Sequence, residues 1–436
     1  MTTDDTRQRN ILFLAYFFPP IQTIGVWRNY FLAREAKKSF AKVFVSGRRI
    51  EESSRDDKVN YETFHYLSNP APDYRFLLGG KKKPGFSEGS KKNVISKFLI
   101  RLVNSFPFNI FLGEGGIIYI VSSVWKAHRL IREENISHIY SSFRPMSDHI
   151  VAWCLKSLHR ELIWTADFRD LPFDPLYRRY FWFGFQRWVL SGILRKADIV
   201  STFHEGIGYG LRQFSDKEIT ILENGTFQDF EREKNAEQNP KFTIQYTGSL
   251  FQDERNPAIL MQALGELLEE KIISQEEIRL NYAGKDSAKW ASLARQHRLS
   301  DVSVNHGLVS REQASVLQAS AHLNLLLTSS HPEYQGILTG KFFEYIAAGR
   351  PILCIINGCR DQSVERLFDK YHLGMVVYLD EPNPGVLKDF LMKLLDDFKQ
   401  NGKLNWQVDE KIYEEFNWQR TMEKWLEKLS LVKFNA

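Results

Sequence analysis

Short apolar runs recur along this chain, and polar or amphipathic stretches separate them. Residues 11–16 (ILFLAY) form the first run, a helical stretch covers 26–37, and residues 42–46 form the next apolar strand. Strand, loop, helix and strand in this order predict a parallel sheet covered by helices. The same pattern predicts further strands at 138–142, 162–166 and 199–202.

The pattern begins again after the loop at 227–240. A strand at 242–246 precedes Gly248, and a helix at 257–270 carries an apolar stripe. More strands are predicted at 278–283, 323–327 and 352–356. We therefore expect an α/β chain with two Rossmann-like, doubly wound parallel sheets, the first domain at 1–228 and the second at 229–417.

Composition and charge refine this expectation. The chain has 436 residues, of which 43% are hydrophobic and 25% charged, as two soluble domains would have. Its three cysteines form no CxxC pair and its first residues show no signal pattern, so we expect reduced thiols and a cytoplasmic location. Residues 1–200 hold 31 Lys and Arg against 19 Asp and Glu, whereas the remainder holds 27 against 34. The first half is therefore expected to face something anionic.

Residues 336–351 (GILTGKFFEYIAAGRP) combine a glycine-punctuated loop with one short helix. Gly336 and Gly340 permit close backbone approach, and a helix beginning near Lys341 presents free N–H groups to an anion. Lys341 and Glu344 fall on one helical face, where a lysine can meet a phosphate and a carboxylate can accept from ribose hydroxyls. The segment therefore predicts a site for a nucleoside diphosphate.

The structural alternative is that a Gly-x-Pro stop such as 349–351 ends many ordinary helix-to-strand connections. The whole string is more specific, and it resembles the TGK-x-FEY-x-A-x-G-x-P donor segment of retaining glycosyltransferases of GT-B architecture, particularly family 4 (group 1). The resemblance implies two Rossmann-like domains facing a central cleft. It also implies that Glu344 binds the ribose of a UDP- or GDP-linked sugar. Lys341 and the backbone at Thr339 and Gly340 would face the diphosphate and sugar.

Two other loops of the second half are candidates for the same donor. The segment GSLFQDERNP begins at Gly248, where a glycine at a strand end lets a phosphate approach, and Arg255 can serve as a second cation. The resemblance places this turn at the diphosphate and His306 in a loop on the base side. A plain surface position is the alternative for Arg255. Many family 4 enzymes carry Glu-x7-Glu, but here a glycine stands at the first position and the nearest acid is Glu333.

Polar side chains follow two predicted strands of the first domain. The strand at 162–166 ends in DFRD, with Asp167, Arg169 and Asp170, and the strand at 138–142 leads into SSFRPMSDH. Ligands of an open parallel sheet bind at the carboxyl ends of its strands. An internal Asp–Arg ion pair is the structural alternative for DFRD.

Both segments resemble family 4 signatures, usually ADFRDPW and TSxPPxSxH, although Phe-Arg-Pro and Leu171 depart from them. The resemblance implies a catalytic-side group and an acceptor-side group in the first domain. The catalytic-side residues are Asp167, Arg169 and His149. The acceptor-side residues are Arg28, Arg144 and Asp170. Gly25 matches the family's glycine loop beneath the transfer site, and a core or capping histidine is the alternative for His149.

A basic amphipathic segment lies between these motifs and the N-terminus. Residues 94–106 (VISKFLIRLVNSF) place Phe and Leu on one helical stripe beside Lys97 and Arg101, and 177–188 (YRRYFWFGFQRW) adds aromatic residues with arginines. Such a segment suits an anionic bilayer at the inner face of a membrane. A helix packed against its own domain is the alternative.

These observations predict a retaining GT-B glycosyltransferase that moves a sugar from a nucleotide donor to a glycan or lipid-linked acceptor in cell-surface polysaccharide biosynthesis. We expect no cofactor and no metal, since the chain lacks Asp-x-Asp, zinc-ligand and Walker patterns. A nucleotide-sugar epimerase and a non-catalytic nucleotide-sugar-binding protein are the alternatives. No nucleic-acid partner is expected, because no recognition motif accompanies the basic charge. The resemblance also implies that the last helix, 418–436, packs back onto the first domain.

Overall fold

The computed structural model describes most of the chain, namely residues 9–21, 26–49, 64–72, 108, 115–172, 182–226, 236–250, 255–332, 335–336 and 338–432. Gly25, Glu333, the segment 94–106 and the predicted boundary at 228 lie outside the described residues. Two compact units divide the chain. The first comprises Met1–Phe203, Ile207–Glu223 and Thr421–Ala436, and the second comprises His204–Gly206 and Asn224–Arg420.

A parallel sheet of seven strands forms the core of the first unit. The strands are Asn10–Leu14 (β1), Lys42–Arg48 (β2), His65–Asn69 (β3), Ile136–Phe143 (β4), Ile163–Phe168 (β5), Ile199–Thr202 (β6) and Ile219–Ile221 (β7). Their order is β3-β2-β1-β4-β5-β6-β7, and every pairing is parallel. This is the Rossmann-like order, in which strand order reverses beside β1.

Helices connect these strands and cover both faces of the sheet. They are Val26–Ala36 (α1), Ile117–Glu133 (α2), Met146–Leu158 (α3), Phe183–Lys196 (α4) and Glu205–Arg212 (α5). Strand β5 is buried at every position, because helices enclose it on two sides. Burial on both faces explains the apolar run at 11–16, and the structure confirms each strand predicted for this half.

The second unit repeats the plan with six parallel strands. The strands are Phe242–Thr247 (β8), Ile278–Ala283 (β9), Ser303–Asn305 (β10), Leu323–Ser330 (β11), Ile352–Gly358 (β12) and Gly374–Tyr378 (β13). Their order is β10-β9-β8-β11-β12-β13. The helices are Ala258–Glu269 (α6), Ser287–Gln296 (α7), Arg311–Ser320 (α8), Gly340–Ala348 (α9), Gln362–Tyr371 (α10), Pro384–Asn401 (α11) and Lys411–Glu415 (α12). The predicted α/β class with two doubly wound sheets is confirmed.

The last helix, Trp418–Leu431 (α13), packs largely on the first unit. Trp425 is fully buried, and its indole N–H donates to Thr165 Oγ1 at 3.0 Å. The Thr421 hydroxyl donates to the carbonyl of Glu223 at 2.8 Å. Burying a tryptophan with its N–H satisfied stabilises the attachment of this helix to the sheet. Among the described helices, none has the length and apolarity needed to cross a bilayer.

Candidate functional site

Gly248 follows β8 at the carboxyl edge of the second sheet. Its φ of +147° is a backbone conformation that residues with side chains rarely adopt. A Cβ at this position would lie 3.7 Å from Cε of Lys341 and 3.4 Å from the hydroxyl oxygen of Tyr246. The structure therefore brings together Gly248 and Lys341, which the sequence assigned to the same phosphate. Glycine leaves the backbone open beside the lysine.

Residues 248–250, directly after β8, are held in place by a tyrosine and an aspartate. The Tyr282 hydroxyl donates to the carbonyl of Gly248 at 3.0 Å and accepts from the backbone N–H of Asp286 at 2.9 Å. The Asp286 carboxylate accepts from the backbone N–H of Leu250 at 2.8 Å. Burial raises the pKa of Tyr282 to about 12, so this phenol stays a hydrogen-bond donor at neutral pH. Residues 248–250 are thus held in place by hydrogen bonds within the protein.

Helix α9 presents its N-terminus at the same edge. Thr339 is the N-cap, and Gly340 and Lys341 lie in the first turn. The Thr339 hydroxyl oxygen is shielded from solvent and has no hydrogen-bond partner in the described part of the chain. The first N–H groups of a helix lack intrahelical acceptors and carry partial positive charge. This arrangement is suited to an anion.

The helix itself is anchored by its other face. Phe342, Phe343 and Tyr345 are buried, and Gly349 ends the helix with a φ of +64°. Glycine reaches this left-handed conformation without a steric cost, so the predicted Gly-x-Pro stop is confirmed. The buried aromatic face fixes the direction in which Lys341 leaves the helix.

Lys341 and Glu344 meet on the exposed face of α9, as predicted. The Lys341 ammonium donates to Glu344 Oε2 at 2.8 Å, and the two side chains are 29% and 17% exposed. Gln318 Nε2 donates to the same oxygen at 3.0 Å. Glu344 Oε1 has no hydrogen-bond partner among the residues that the structure describes. The carboxylate is held through one oxygen, and the other remains for a ligand.

Arg255 and His306 also follow strands of this sheet. Burial raises the pKa of the Tyr345 hydroxyl, and Arg255 is among the charges that oppose the rise, so Arg255 lies within electrostatic reach of α9. His306 is exposed, and its backbone N–H donates to the carbonyl of Tyr282 at 2.8 Å. Burial, followed by the charge of Arg279, lowers the pKa of His306. The diphosphate role of Arg255 and the base-side role of His306 stay predictions.

Asp167 and Arg28 form a buried ion pair in the first unit. The Arg28 guanidinium donates to the two carboxylate oxygens at 2.9 and 2.7 Å. Tyr140 and Ser201 hydroxyls donate to the same carboxylate, each at 2.8 Å. Burial opposes ionisation of Asp167, but Arg28 and these hydroxyls hold its pKa below the ordinary value. The side chains of Arg28 and Asp167 are 3% and 0% exposed.

This pair involves two residues whose roles, predicted from the sequence, stay predictions. Asp167 was expected on the catalytic side and Arg28 on the acceptor side, but the polar atoms of both are engaged inside the protein. The internal ion pair stated as the alternative for DFRD is what the structure shows. The sequence could not reveal it, because the partner of Asp167 is not the neighbouring Arg169 but a residue 139 positions away.

His149 is likewise internal. It is fully buried in α3, its Nδ1 lies 2.7 Å from Ser141 Oγ, and its ring centroid lies 4.5 Å from that of Phe168. Burial lowers the pKa of His149 to about 3, so the imidazole is neutral at physiological pH. Its Nε2 is buried and has no hydrogen-bond partner within the described ranges. The core position stated as the alternative describes His149, which in this environment is neither exposed nor charged.

Arg169, Arg144 and Asp170 lie where β4 and β5 end. Arg169 Nε donates to the carbonyl of Phe143 at 2.9 Å, and its NH2 group donates to the carbonyl of Arg144 at 2.8 Å. Arg169 therefore joins two strand ends, and its predicted catalytic-side role stays a prediction. Arg144 and Asp170 are 3.8 Å apart and more than half exposed. They are the predicted acceptor-side residues that a ligand can reach.

Three residues that hold the carboxyl edge of the second sheet in place by hydrogen bonds were not predicted from the sequence. Gln318 contacts Glu344 and Thr247, Tyr282 holds Gly248, and the Tyr345 hydroxyl accepts from the backbone N–H of Thr247 at 3.2 Å. Gln318 and Tyr282 stand in no motif with fixed spacing, and Tyr345 is the tyrosine of the TGK-x-FEY segment, to which the sequence assigned no role. Their only signal was a polar group inside a helix or strand that the apolar pattern marks as buried. No cluster of His, Cys, Asp and Glu suited to a metal occurs in the described ranges.

Two successive Rossmann-like domains in one chain define the GT-B class of fold. No protein-family model matches the chain, and no curated protein sequence is significantly similar to it. Solved structures, in contrast, match nearly its whole length, and glycosyltransferases are among them.

The chain is similar to sucrose-phosphate synthase from Thermosynechococcus elongatus, with 13% identity, a TM-score of 0.60, and coverage of 97% of this chain and 98% of that chain. It is similar to the lipopolysaccharide outer core galactosyltransferase WaaB, with 12% identity, a TM-score of 0.55, and coverage of 97% and 99%. It is also similar to an E. coli trehalose-6-phosphate structure bound with UDP-2-fluoro glucose, with 9% identity, a TM-score of 0.55, and coverage of 97% and 99%. At these identities the likeness establishes the fold.

Proposed function

We propose that the chain is a glycosyltransferase that uses a UDP- or GDP-linked sugar as donor. The observation that carries this proposal is the convergence of Gly248, the start of α9, Lys341 and Glu344 at one carboxyl edge of the second sheet. An open glycine backbone, a helix N-terminus and an ammonium fit a diphosphate. A carboxylate with one open oxygen fits the ribose of the same molecule. The shared fold of the structure bound with UDP-2-fluoro glucose supports this choice of ligand.

Different residues bind the diphosphate and the ribose of the donor. Lys341, Arg255 and the N–H groups at the start of α9 bind the diphosphate, and the buried Thr339 hydroxyl gains a phosphate oxygen as partner. Glu344 Oε1 accepts from the ribose hydroxyls. The positive groups also stabilise the charge that develops on the leaving diphosphate. Of the first domain, Arg144 and Asp170 are the exposed residues that we assign to the acceptor.

We further propose that transfer retains the anomeric configuration. The acceptor oxygen bonds to the anomeric carbon on the face from which the diphosphate departs. The bond from that carbon to the diphosphate oxygen breaks, its electron pair stays with the diphosphate, and a diphosphate oxygen takes the acceptor proton. The step needs no protein base, which agrees with the enclosed positions of Asp167 and His149. The acceptor we propose is a glycan or lipid-linked glycan of a cell-surface polysaccharide, a class supported by the shared fold of WaaB.

An exposed aromatic surface on the first unit supports the proposal that this enzyme binds to the surface of an anionic membrane. Trp125 on α2 is 65% exposed and Trp188 on α4 is 60% exposed, and Phe185 stacks on Trp188 with ring centroids 6.0 Å apart. Helix α3 packs against both α2 and α4, and its Trp153 lies 6.3 Å from Trp188. The same two helices carry basic residues, Lys126 and Arg129 on α2 and Arg187, Arg195 and Lys196 on α4. Tryptophan beside lysine and arginine suits the interface of a bilayer with anionic lipids.

A screen of nucleotide sugars tests the donor assignment. Native mass spectrometry of the full chain against UDP- and GDP-linked sugars should show one-to-one complexes. Incubation should then release UDP or GDP from the bound sugar. Lys341→Ala should weaken the complexes, whereas Lys393→Ala, an exposed lysine on α11 of the same domain, should not. Absence of binding to every donor would refute the proposed function.

A further inference from the structure

Gln318 is a buried amide beside Glu344 that belongs to no part of the donor motif. It lies on α8 and is 1% exposed. Its Nε2 donates to Glu344 Oε2 at 3.0 Å and to Thr247 Oγ1 at 2.7 Å. An amide nitrogen carries two N–H groups, so both are used. The carboxylate partner also fixes which end of the amide faces Glu344, since the amide oxygen would be repelled.

The other end of this link is the phosphate loop. Thr247 is the last residue of β8 and directly precedes Gly248. Its hydroxyl lies 3.1 Å from the Tyr345 hydroxyl, so Thr247 is also tied to α9. Gln318 therefore links the end of β8, next to Gly248, with the carboxylate of Glu344.

Lys341 contacts the same carboxylate oxygen, but it cannot replace the amide. The lysine is a flexible cation that a bound diphosphate attracts away from its carboxylate partner. Gln318 is uncharged and enclosed, so a diphosphate does not compete for it. When Lys341 turns to the phosphates, Gln318 is the contact that keeps Glu344 in place.

We propose that Gln318 is a positioning residue for ribose recognition: it holds Glu344 Oε2 so that Oε1 faces the ribose hydroxyls while Lys341 serves the diphosphate. This inference rests on the proposed donor site and specifies how that site distinguishes a ribonucleotide from its deoxy form. Discrimination arises because a donor lacking the hydroxyls leaves the fixed carboxylate oxygen without a partner.

The experiment compares Gln318→Met with Gln262→Met in the full chain. Methionine keeps the length of the side chain and removes both donors. Gln262 is a matched control, because its amide also donates to a glutamate, Glu266 Oε1 at 2.9 Å, but at an exposed position of α6. Calorimetry measures the affinities of UDP and GDP, of their 2′,3′-dideoxy counterparts, and of pyrophosphate. Thermal melting verifies that each variant is folded.

In the wild type and in Gln262→Met, we expect the ribonucleotide to bind roughly 10- to 100-fold more tightly than its dideoxy counterpart, the range for hydrogen bonds to a charged group. Gln318→Met should remove most of this preference and leave pyrophosphate affinity unchanged. If Gln318→Met does not fold, Thr247→Val is the second variant, because it removes the other acceptor of the Gln318 amide. It should reduce the preference for the ribonucleotide over the dideoxy nucleotide.

Two results would overturn the role of Gln318. One is an unchanged preference for the ribonucleotide in the folded variant. The other is an equal loss of affinity for all ligands, pyrophosphate included, which is what a purely structural role predicts. Failure of the wild type to bind any nucleotide would instead refute the donor site itself, and the positioning role with it.

Discussion

Lys341 and Glu344 form an ion pair on α9, in which the lysine Nζ lies 2.8 Å from the glutamate Oε2. We assign the two side chains to different parts of one ligand. The ammonium is a cation for a diphosphate, and the carboxylate keeps one oxygen open for a ribose. Because both side chains are partly exposed, the pair itself contributes little to stability. It is therefore free to be rearranged by a ligand at small cost.

Glu344→Ala should weaken binding of UDP or GDP by about 1–3 kcal/mol, because a hydrogen bond to a charged group is lost while the phosphate contacts remain. Isothermal titration calorimetry measures this loss. Glu381→Ala, at an exposed glutamate after β13, is the control and should bind as the wild type does. Unchanged nucleotide affinity in folded Glu344→Ala would exclude the ribose contact.

Arg255→Ala and Lys341→Ala should act on a different part of the ligand. Each removes a positive charge from the diphosphate site, so each should weaken UDP or GDP more than UMP or GMP. Binding should also become less sensitive to salt, because fewer charges are screened. Equal losses for the diphosphate and the monophosphate would argue against a phosphate clamp.

The apolar pattern predicted the strands of both sheets that are buried on two faces, because such strands must be continuous apolar runs. It missed the four strands at the edges of the two sheets, which are β3 (HYLSN), β13 (GMVVY) and the three-residue strands β7 and β10. The donor motif is local in sequence, so the shared face of Lys341 and Glu344 was predictable. The Arg28–Asp167 pair and the Gln318–Glu344 contact were not, because each joins distant segments through side chains that no fixed spacing marks.

Asp167→Asn should destabilise the first unit by roughly 3–5 kcal/mol, since it leaves Arg28 charged and buried without a counter-charge. The pKa of Asp167 is lowered in the folded state, so its contribution is fully present above the unfolded carboxyl pKa of about 4 and is lost as pH falls below it. The denaturant midpoints of wild type and variant, measured from pH 7 downward, should therefore converge in acid.

The double variant Arg28→Met with Asp167→Leu is the control for this pair. It removes both charges together. Its loss of unfolding free energy should therefore be smaller than the sum of the losses in Arg28→Met alone and Asp167→Leu alone. Two results would contradict the buried ion pair. One is a denaturant midpoint in Asp167→Asn equal to that of the wild type, and the other is a difference between the two midpoints that grows as the pH falls. Nucleotide affinity should be unchanged in Asp167→Asn, because the donor contacts lie in the other unit.

The chain should cosediment with vesicles of phosphatidylglycerol and not with vesicles of phosphatidylcholine alone. Binding should fall as ionic strength rises, because exposed charges are screened over about 10 Å at 0.1 M salt. Trp125→Ser and Trp188→Ser should each reduce it, since the apolar contact with the interface is lost. Leu308→Ser is the control, because Leu308 is 79% exposed but lies in the second unit. Equal binding to both kinds of vesicle, or none to the anionic ones at low salt, would rule out the membrane surface.

Under the proposed function, the carboxyl edge of the second sheet binds a nucleotide sugar whose diphosphate leaves with help from Arg255, Lys341 and the start of α9. Proton NMR of the full chain with UDP- and GDP-linked sugars, glycan acceptors and EDTA tests it most directly, because one spectrum reports donor consumption and the anomer of the product. We expect that a donor is consumed in EDTA, that the product keeps the donor's anomeric configuration, and that Lys341→Ala lowers the rate. A product of inverted configuration, or turnover that EDTA abolishes and magnesium restores, would contradict it.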